Sequence, residues 1–527
     1  MRCDMETKTS LPVPLLPPIG ELLFAVTLPI VFFAGKARLL ADGDTGYHIR
    51  AGEYILRTYS VPRFDIFSLH TPPLPWTAHE WLSEVIMALL HGAGGLAAVD
   101  AFFAIVISAC PALLYAVLKS YGAQTATAGA LTLGALSTFE VHWLSRPHVF
   151  SFVFILLFHY LLESWRRGKF DRLYLLPPLM LLWVNLHGGY LGGFILIAVY
   201  LAGCAASTAT QAAGRREEGG RNCRRVGVVG LFCLGASLVN PAGYRILLFP
   251  FKLVGDTYIM DHVSEFLSPN FHFMTAFRLF LLLVVVLLAL SRKRLPATDL
   301  LLLAAFTNMS LYSARYISLF ALVVPPVLSR QLQGIKLPRS PVTLFFAERS
   351  RRLAALDARG RRGIWSALAL TAVIAAVVSG KVEHRFDPKV KAVETAEFLM
   401  RENVPGNMFN NDEIGDYLIY RTFPRYRVFF DGRSDMYGSA LMKEYYRVTK
   451  FEPGWEEVLT KHRIGWVVYD TNSEFSRFLA LRREWALIHS DRVASVFVRR
   501  TPLYLGLIDR HPGVTLWRDP APPRDPA

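Results

Sequence analysis

Apolar residues run almost unbroken for long stretches up to residue 378, and after that they come only as short stripes. The long runs cover 22–40, 96–118, 123–139, 149–165, 173–184, 191–213, 226–239, 273–290, 295–311, 317–328 and 365–378. They predict a bundle of about 11 membrane-spanning helices. Several runs fall short of the roughly 20 residues a span needs, so flanking polar residues must complete them. Beyond residue 380 the pattern changes. Val393, Ala396, Leu399 and Met400 form a helical stripe that Pro405 ends. Short strands are expected at 428–430, 464–469 and 493–498, with helices at 441–448 and 455–462. The fold class expected is mainly α: a polytopic transmembrane helical bundle over 1–380, then a soluble α/β domain over 381–527.

Composition agrees with a membrane protein, since 53% of the 527 residues are hydrophobic. A net charge of +15 would suit a nucleic-acid binder, but the Lys and Arg fall in short clusters between apolar runs. That is the pattern of cytoplasmic loops. Arg166, Arg167, Lys169 and Arg172 form one such loop; Arg215, Arg216, Arg221, Arg224 and Arg225 form another; Arg292, Lys293 and Arg294, then Arg349 to Arg361, continue on the same side. The N-terminus is therefore expected in the cytoplasm and the C-terminal domain outside. The opposite loops carry Asp, Glu, His, Asn and isolated Arg, which places the working face on the exoplasmic side. Cys3, Cys110, Cys204, Cys223 and Cys233 avoid the polar C-terminal region and imply neither a disulfide framework nor a Cys-based metal site. Pro12, Pro14, Pro17 and Pro18 precede the first run without a small-residue cleavage site, which favours an uncleaved signal anchor.

The first exoplasmic loop, 41–95, opens with Asp42-Gly43-Asp44-Thr45-Gly46-Tyr47-His48. Alternate positions of an extended segment point the same way, so Asp42 and Asp44 could present both carboxylates to one ligand or cation. Turn geometry is the plain alternative for such a string. Residues 79–91 read as one helix lying along the membrane interface, with Trp76 and Trp81 at headgroup depth; the alternative joins 81 onward to the next span as a kinked helix. His79-Glu80 lacks the second His of a zinc protease. His48, His79 and Glu80 remain candidates for an acceptor or loop site. Arg146, Pro147 and His148, and Arg315 with Tyr316, sit at span ends where charge is costly against lipid, and guanidinium suits a phosphate partner. Lys36 and Arg38, near the end of the first run, are weaker candidates for the same phosphate. Asn185, His187, Asn240 and the glycines near them are read as caps and turns, with His187 ambiguous. Glu265 could add a carboxylate to the first-loop site, and Asp44 with Glu265 would suit a divalent cation such as Mg or Mn. Asp431-Gly432-Arg433 follows an expected strand, where α/β sheets bind ligands, but scaffold is the default reading.

These features resemble the C-type glycosyltransferase superfamily (GT-C), the multispanning enzymes that use polyprenyl-phosphate-linked sugars. The resemblance rests on the acidic 42–48 motif at the start of a large first loop, a long spanning region and an exoplasmic C-terminal domain. Pro75-Trp76-Thr77-Ala78-His79-Glu80-Trp81-Leu82 and Phe430-Asp431-Gly432-Arg433 look like stretches of uncharacterised bacterial members, which implies an inner-membrane location. There is no Trp-Trp-Asp signature of oligosaccharyltransferases, which argues against transfer of a whole oligosaccharide to Asn. The resemblance implies an inverting displacement, with Asp42 or Asp44 as general base and Arg146, Arg315, His148 or a divalent cation at the phosphate. The donor would be a polyprenyl-phosphate-linked sugar, and the acceptor a lipid, glycan or protein. A transporter or flippase of lipid-linked sugars, or a non-catalytic assembly subunit, are the rival readings; no internal repeat of the kind transporters show is evident.

Overall fold

The computed structural model describes residues 16–335 and 340–518; Cys3, Pro12 and Pro14 lie outside the described residues. Every one of the long apolar runs lies over helical backbone. Among the described residues three helices, Trp81–Ser120, His148–Arg166 and Gly188–Ala209, are long and apolar enough to cross a membrane, or four if Pro341–Arg359 and Ile364–Ser379, bent by 70°, form one span. Ile19–Ala34, Leu173–Leu186 and Thr275–Leu290 are apolar but shorter. The difference from the expected count is one of length, because many of the runs are shorter than the hydrocarbon core is thick. Their packed faces form one continuous core, with Phe32, Phe103, Phe158, Trp183, Phe306 and Phe320 wholly buried.

The first loop is more ordered, and less interfacial, than its sequence suggests. Asp44–Thr58 is a helix that packs along the start of Trp81–Ser120. The two approach so closely at Gly52 that any Cβ there would run into the Glu84 carbonyl. Residues 81–120 form one helix broken by non-helical backbone at Gly94 and Gly95, where Gly95 has φ of 62°. This is the kinked continuation into the next span rather than a separate helix on the interface. Trp76 is 7% exposed and packs inside the protein, while the Trp81 indole donates to Asn185 Oδ1 at 2.8 Å, so neither is simply a headgroup anchor.

The C-terminal region builds a four-stranded sheet from β1 (Asn407–Asn410), β2 (Ile464–Asp470), β3 (Trp485–Ser490) and β4 (Ala494–Arg499), in the order β1-β2-β4-β3. β1 and β2 are parallel, and β4 is antiparallel to both its neighbours. Side chains alternate as the pleat requires. Met408, Trp466, Val468, Val496 and Val498 face a core shared with Leu40 at the end of the first apolar run and Tyr47, Ala51, Phe67 and Trp76 of the first loop. Phe409, Val467 and Phe497 face the opposite core, beneath the helices Ser434–Thr449 and Trp455–Lys461. The first loop thus shares a core with the C-terminal domain.

Residues 428–430 are not a strand of this sheet. Their backbone is satisfied elsewhere: Phe429 N donates to Asn410 Oδ1 (2.8 Å), Phe430 O accepts from Asn410 Nδ2 (2.7 Å), and Val428 bridges to the first loop through Phe67 O (3.1 Å) and Leu69 N (2.9 Å). An apolar triplet with these partners needs no ladder. β1 and β3, by contrast, carry Asn, His and Ser among their apolar residues, and their sequence gives little sign of a strand.

Candidate functional site

Asp42 and Asp44 do converge, though not as an extended segment. Asp44 opens the Asp44–Thr58 helix, and its backbone N–H donates to Asp42 Oδ1 at 3.0 Å. Gly43 and Gly46 allow a close approach rather than a turn: a Cβ at Gly43 would stand 2.7 Å from the Asp416 Cβ, and one at Gly46 2.6 Å from the Tyr420 Cβ. Both partners belong to the helix Asp412–Thr422 of the C-terminal domain. The acidic motif is therefore pressed against that domain.

Arg146 sits between the carboxylates. Its guanidinium pairs with Asp42, Asp44 and Glu265, the last at 2.8 Å. Its segment is anchored from several sides. Ser145 N donates to Leu39 O (2.9 Å), Thr45 Oγ1 donates to Ser145 O (3.0 Å), and Ser145 Oγ donates to Asp100 Oδ1 (2.5 Å), whose other oxygen meets His384 Nδ1 (2.6 Å). Glu265 lies in the turn Ser264–Phe266, which Ser313 Oγ ties down by donating to the Glu265 carbonyl at 2.9 Å. That contact also brings Arg315 to the site. Arg315 lies 5.5 Å over the Phe266 ring and makes no carboxylate ion pair among the described residues.

Charge follows from these surroundings. Burial pushes the Asp44 carboxyl well above the usual range, against the pull of Arg146 and with a further push from Asp42 and Glu265. Burial also raises Asp416 strongly, and the Asp44 charge adds to it. A hydrogen bond from the Asp416 side chain favours ionised Asp44, and Gly432 N donates to Asp416 Oδ1 at 3.0 Å. Asp416 is thus the better holder of the proton and Asp44 of the charge. Arg146 holds Glu265 far below the ordinary carboxylate range.

A second cluster surrounds Glu80. Its carboxylate lies 3.6 Å from His48 Nε2, 3.4 Å from His187 Nε2 and 3.9 Å from His79 Nε2. His187 Nδ1 accepts from Gly189 N at 2.9 Å, which leaves the proton on Nε2, facing Glu80. Burial lowers His187 well below 6.5, so the ring is neutral. His148 Nε2 is 3.0 Å from the His142 carbonyl.

One cavity of about 290 Å³ joins the two clusters, lined on its polar side by Asp42, Asp44, His79, Glu80, Arg146, His148, His187, Glu265, Arg315 and Asp416. Phe152, Leu191, Ile195, Phe249, Leu253 and Leu319 form an apolar wall. His48 lies behind Glu80, and Lys36 and Arg38 are exposed and do not line the cavity. Asp416 is a lining residue that sequence reading did not find, as are His142, Asp412 and Glu413, and the glycines at 43 and 46 were its trace. Asp431 and Arg433 do not line the ligand side, whereas Ser434 and Asp435 do. Arg433 is buried among first-loop residues, while Gly432, Ser434 and Asp435 of the same 431–438 stretch line the cavity.

The suggested Mg or Mn site does not fit this arrangement. The carboxylates proposed for it, Asp44 and Glu265, converge on the Arg146 guanidinium, as Asp42 does. Among the described residues no group of three or more His, Cys, Asp or Glu is arranged to hold a metal ion.

No protein-family model and no curated protein matches the chain. Solved structures match its fold. The archaeal oligosaccharyltransferase AglB from Archaeoglobus fulgidus, in complex with an inhibitory peptide and a dolichol-phosphate, aligns with a TM-score of 0.56 and 13% identity over 88% of this chain and 70% of that one. The apo form of the Archaeoglobus fulgidus oligosaccharyltransferase aligns with a TM-score of 0.56 and 13% identity over 92% and 74%. The form tethered to an acceptor peptide containing the NVT sequon gives 0.51 and 14% over 86% and 68%. The chain has the fold of these oligosaccharyltransferases.

Proposed function

We propose that this membrane protein with the GT-C fold is a glycosyltransferase, moving a sugar from a polyprenyl-phosphate-linked donor to a lipid, glycan or protein acceptor on the exoplasmic face. The observation that carries the reading is the cavity itself. It sets an ionisable carboxylate pair, Asp44 and Asp416, and Arg315, a guanidinium with no carboxylate ion pair among the described residues, around one space with an apolar wall. Asp44 takes the proton from the acceptor as its oxygen attacks the anomeric carbon. The bond from that carbon to the phosphate oxygen breaks on the opposite face, with inversion, and the polyprenyl phosphate leaves with the electron pair. Arg315 stabilises the charge that develops on it, with His148 close by. The apolar wall suits the first isoprenoid units. Glu80, with His79 and the neutral His187, lines the same space and orients the acceptor. The AglB structure with a dolichol-phosphate and the related one with an acceptor peptide support a donor and an acceptor of these classes.

The test uses the purified protein in nanodiscs with a synthetic polyprenyl-phosphate sugar. Asp44→Asn is expected to slow transfer by about 10²- to 10⁴-fold with donor binding kept. Arg315→Ala is expected to weaken donor binding by roughly tenfold or more, the loss of a charge-assisted hydrogen bond. Full transfer by both Asp42→Asn and Asp44→Asn would remove the carboxylates from the mechanism, and unchanged donor affinity in Arg315→Ala would remove Arg315 from the phosphate.

A further inference from the structure

The geometry points to Arg146 as a built-in cation that stands where a divalent metal would otherwise be held, so that the acidic centre works without one. This rests on the transferase reading above for its catalytic meaning, but its structural content is independent of it. Three carboxylates from two distant parts of the chain, Asp42 and Asp44 at the start of the first-loop helix and Glu265 in the 240–272 loop, all meet one guanidinium. Convergence of acidic oxygens from distant segments is how proteins collect a hard cation. Here the collected cation is covalent. Asp42 and Glu265 share one guanidinium nitrogen and Asp44 meets the other, so the planar fork bridges all three.

Two further observations make this a fixed arrangement. The Arg146 side chain is 14% exposed, and the backbone before it is held by Leu39, Thr45 and the Ser145-Asp100-His384 chain, which fixes where the guanidinium starts from. Arg315 also reaches the cavity, adding a second positive group that disfavours an incoming dication. With Arg146 in place, Asp42 and Asp44 are positioned and their repulsion is offset, whereas the leaving phosphate falls to Arg315. Arg146 is thus a positioning residue for the carboxylates and a substitute for metal charge.

Manganese(II) alone is the probe, followed by the electron-paramagnetic-resonance signal of the free ion titrated with the full-length protein. The expected result is that the wild type leaves Mn²⁺ free, that Arg146→Asn takes it up saturably, and that Arg146→Asn combined with Glu265→Gln no longer does. Transfer by the wild type is expected to survive EDTA unchanged. Saturable uptake by the wild type that is lost in Asp42→Asn would overturn the inference, and so would a folded Arg146→Asn that takes up none. If Arg146→Asn does not fold, the wild-type titration and its Asp42→Asn control decide alone. Absence of any transfer by the wild type would sink the transferase reading and leave the Mn²⁺ result standing.

Discussion

A carboxylate that is to accept a proton must be ionised in a place where burial favours the neutral form, and at Asp44 the balance is struck by its neighbours. Arg146 and the Asp416 hydrogen bond favour the charge; burial, Asp42 and Glu265 oppose it. Because the folded value is raised, activity that needs ionised Asp44 is lost as pH falls through that raised value, at a higher pH than for an ordinary Asp. Two substitutions should move this acid limb in opposite directions. Asp416→Ala removes the hydrogen bond that favours the charge and should shift the limb of the kcat/KM profile to higher pH. Glu265→Gln removes an opposing charge and should shift it to lower pH. The profiles check both, and shifts of the same sign would contradict the assigned roles. Asp42, Asp44, Arg146 and Glu265 were legible as candidates because charge at a membrane edge is unusual. Asp416 was not, since an Asp on an amphipathic helix looks like any solvated one until the helix is docked. Arg146 was legible as a phosphate ligand, and the structure commits it to carboxylates instead.

At the level of elements, close approach rather than propensity decides the site. The Asp44–Thr58 helix is seated on Trp81–Ser120 through Gly52, whose missing side chain lets the Glu84 carbonyl come within contact. Gly52→Val should force the two helices apart and cost about 1–3 kcal/mol, the usual price of overpacking. A thermal melt of the solubilised protein reads the loss, and an unchanged midpoint would mean that the helices pack differently. Apolar periodicity located the helices well, because a run of hydrophobic residues in a membrane protein has few alternatives to helix. It served less well for the C-terminal sheet. The most strand-like triplet, 428–430, found partners in Asn410 and the first loop, while polar β1 was recruited by pairing with β2. Short strands are chosen by their neighbours as much as by their own residues.

For the whole molecule, the decisive contact joins the first loop to the C-terminal domain. Arg433 is 2% exposed, pairs with Asp65 at 2.9 Å and with Asp431 at 2.6 Å, and lies 4.7 Å and 4.9 Å over the rings of Trp76 and Phe67. Arg433→Met leaves two buried carboxylates without their cation, and a loss of about 3–5 kcal/mol is expected. It should also loosen the first loop, which limited proteolysis within 59–75 would detect; wild-type resistance there would show that Arg433 does not hold the two parts together. By itself the sequence determined that this is a membrane protein with long helices, a structured acidic first loop and an α/β C-terminal region, because hydrophobic runs, basic clusters and strand patterns are local signals. Only the tertiary structure decided which charges meet. The carboxylates that meet Arg146, the Asp416 that meets Asp44 and the Asp65 that meets Arg433 come from distant segments, and their pairing depends on how helices pack, which no local pattern encodes.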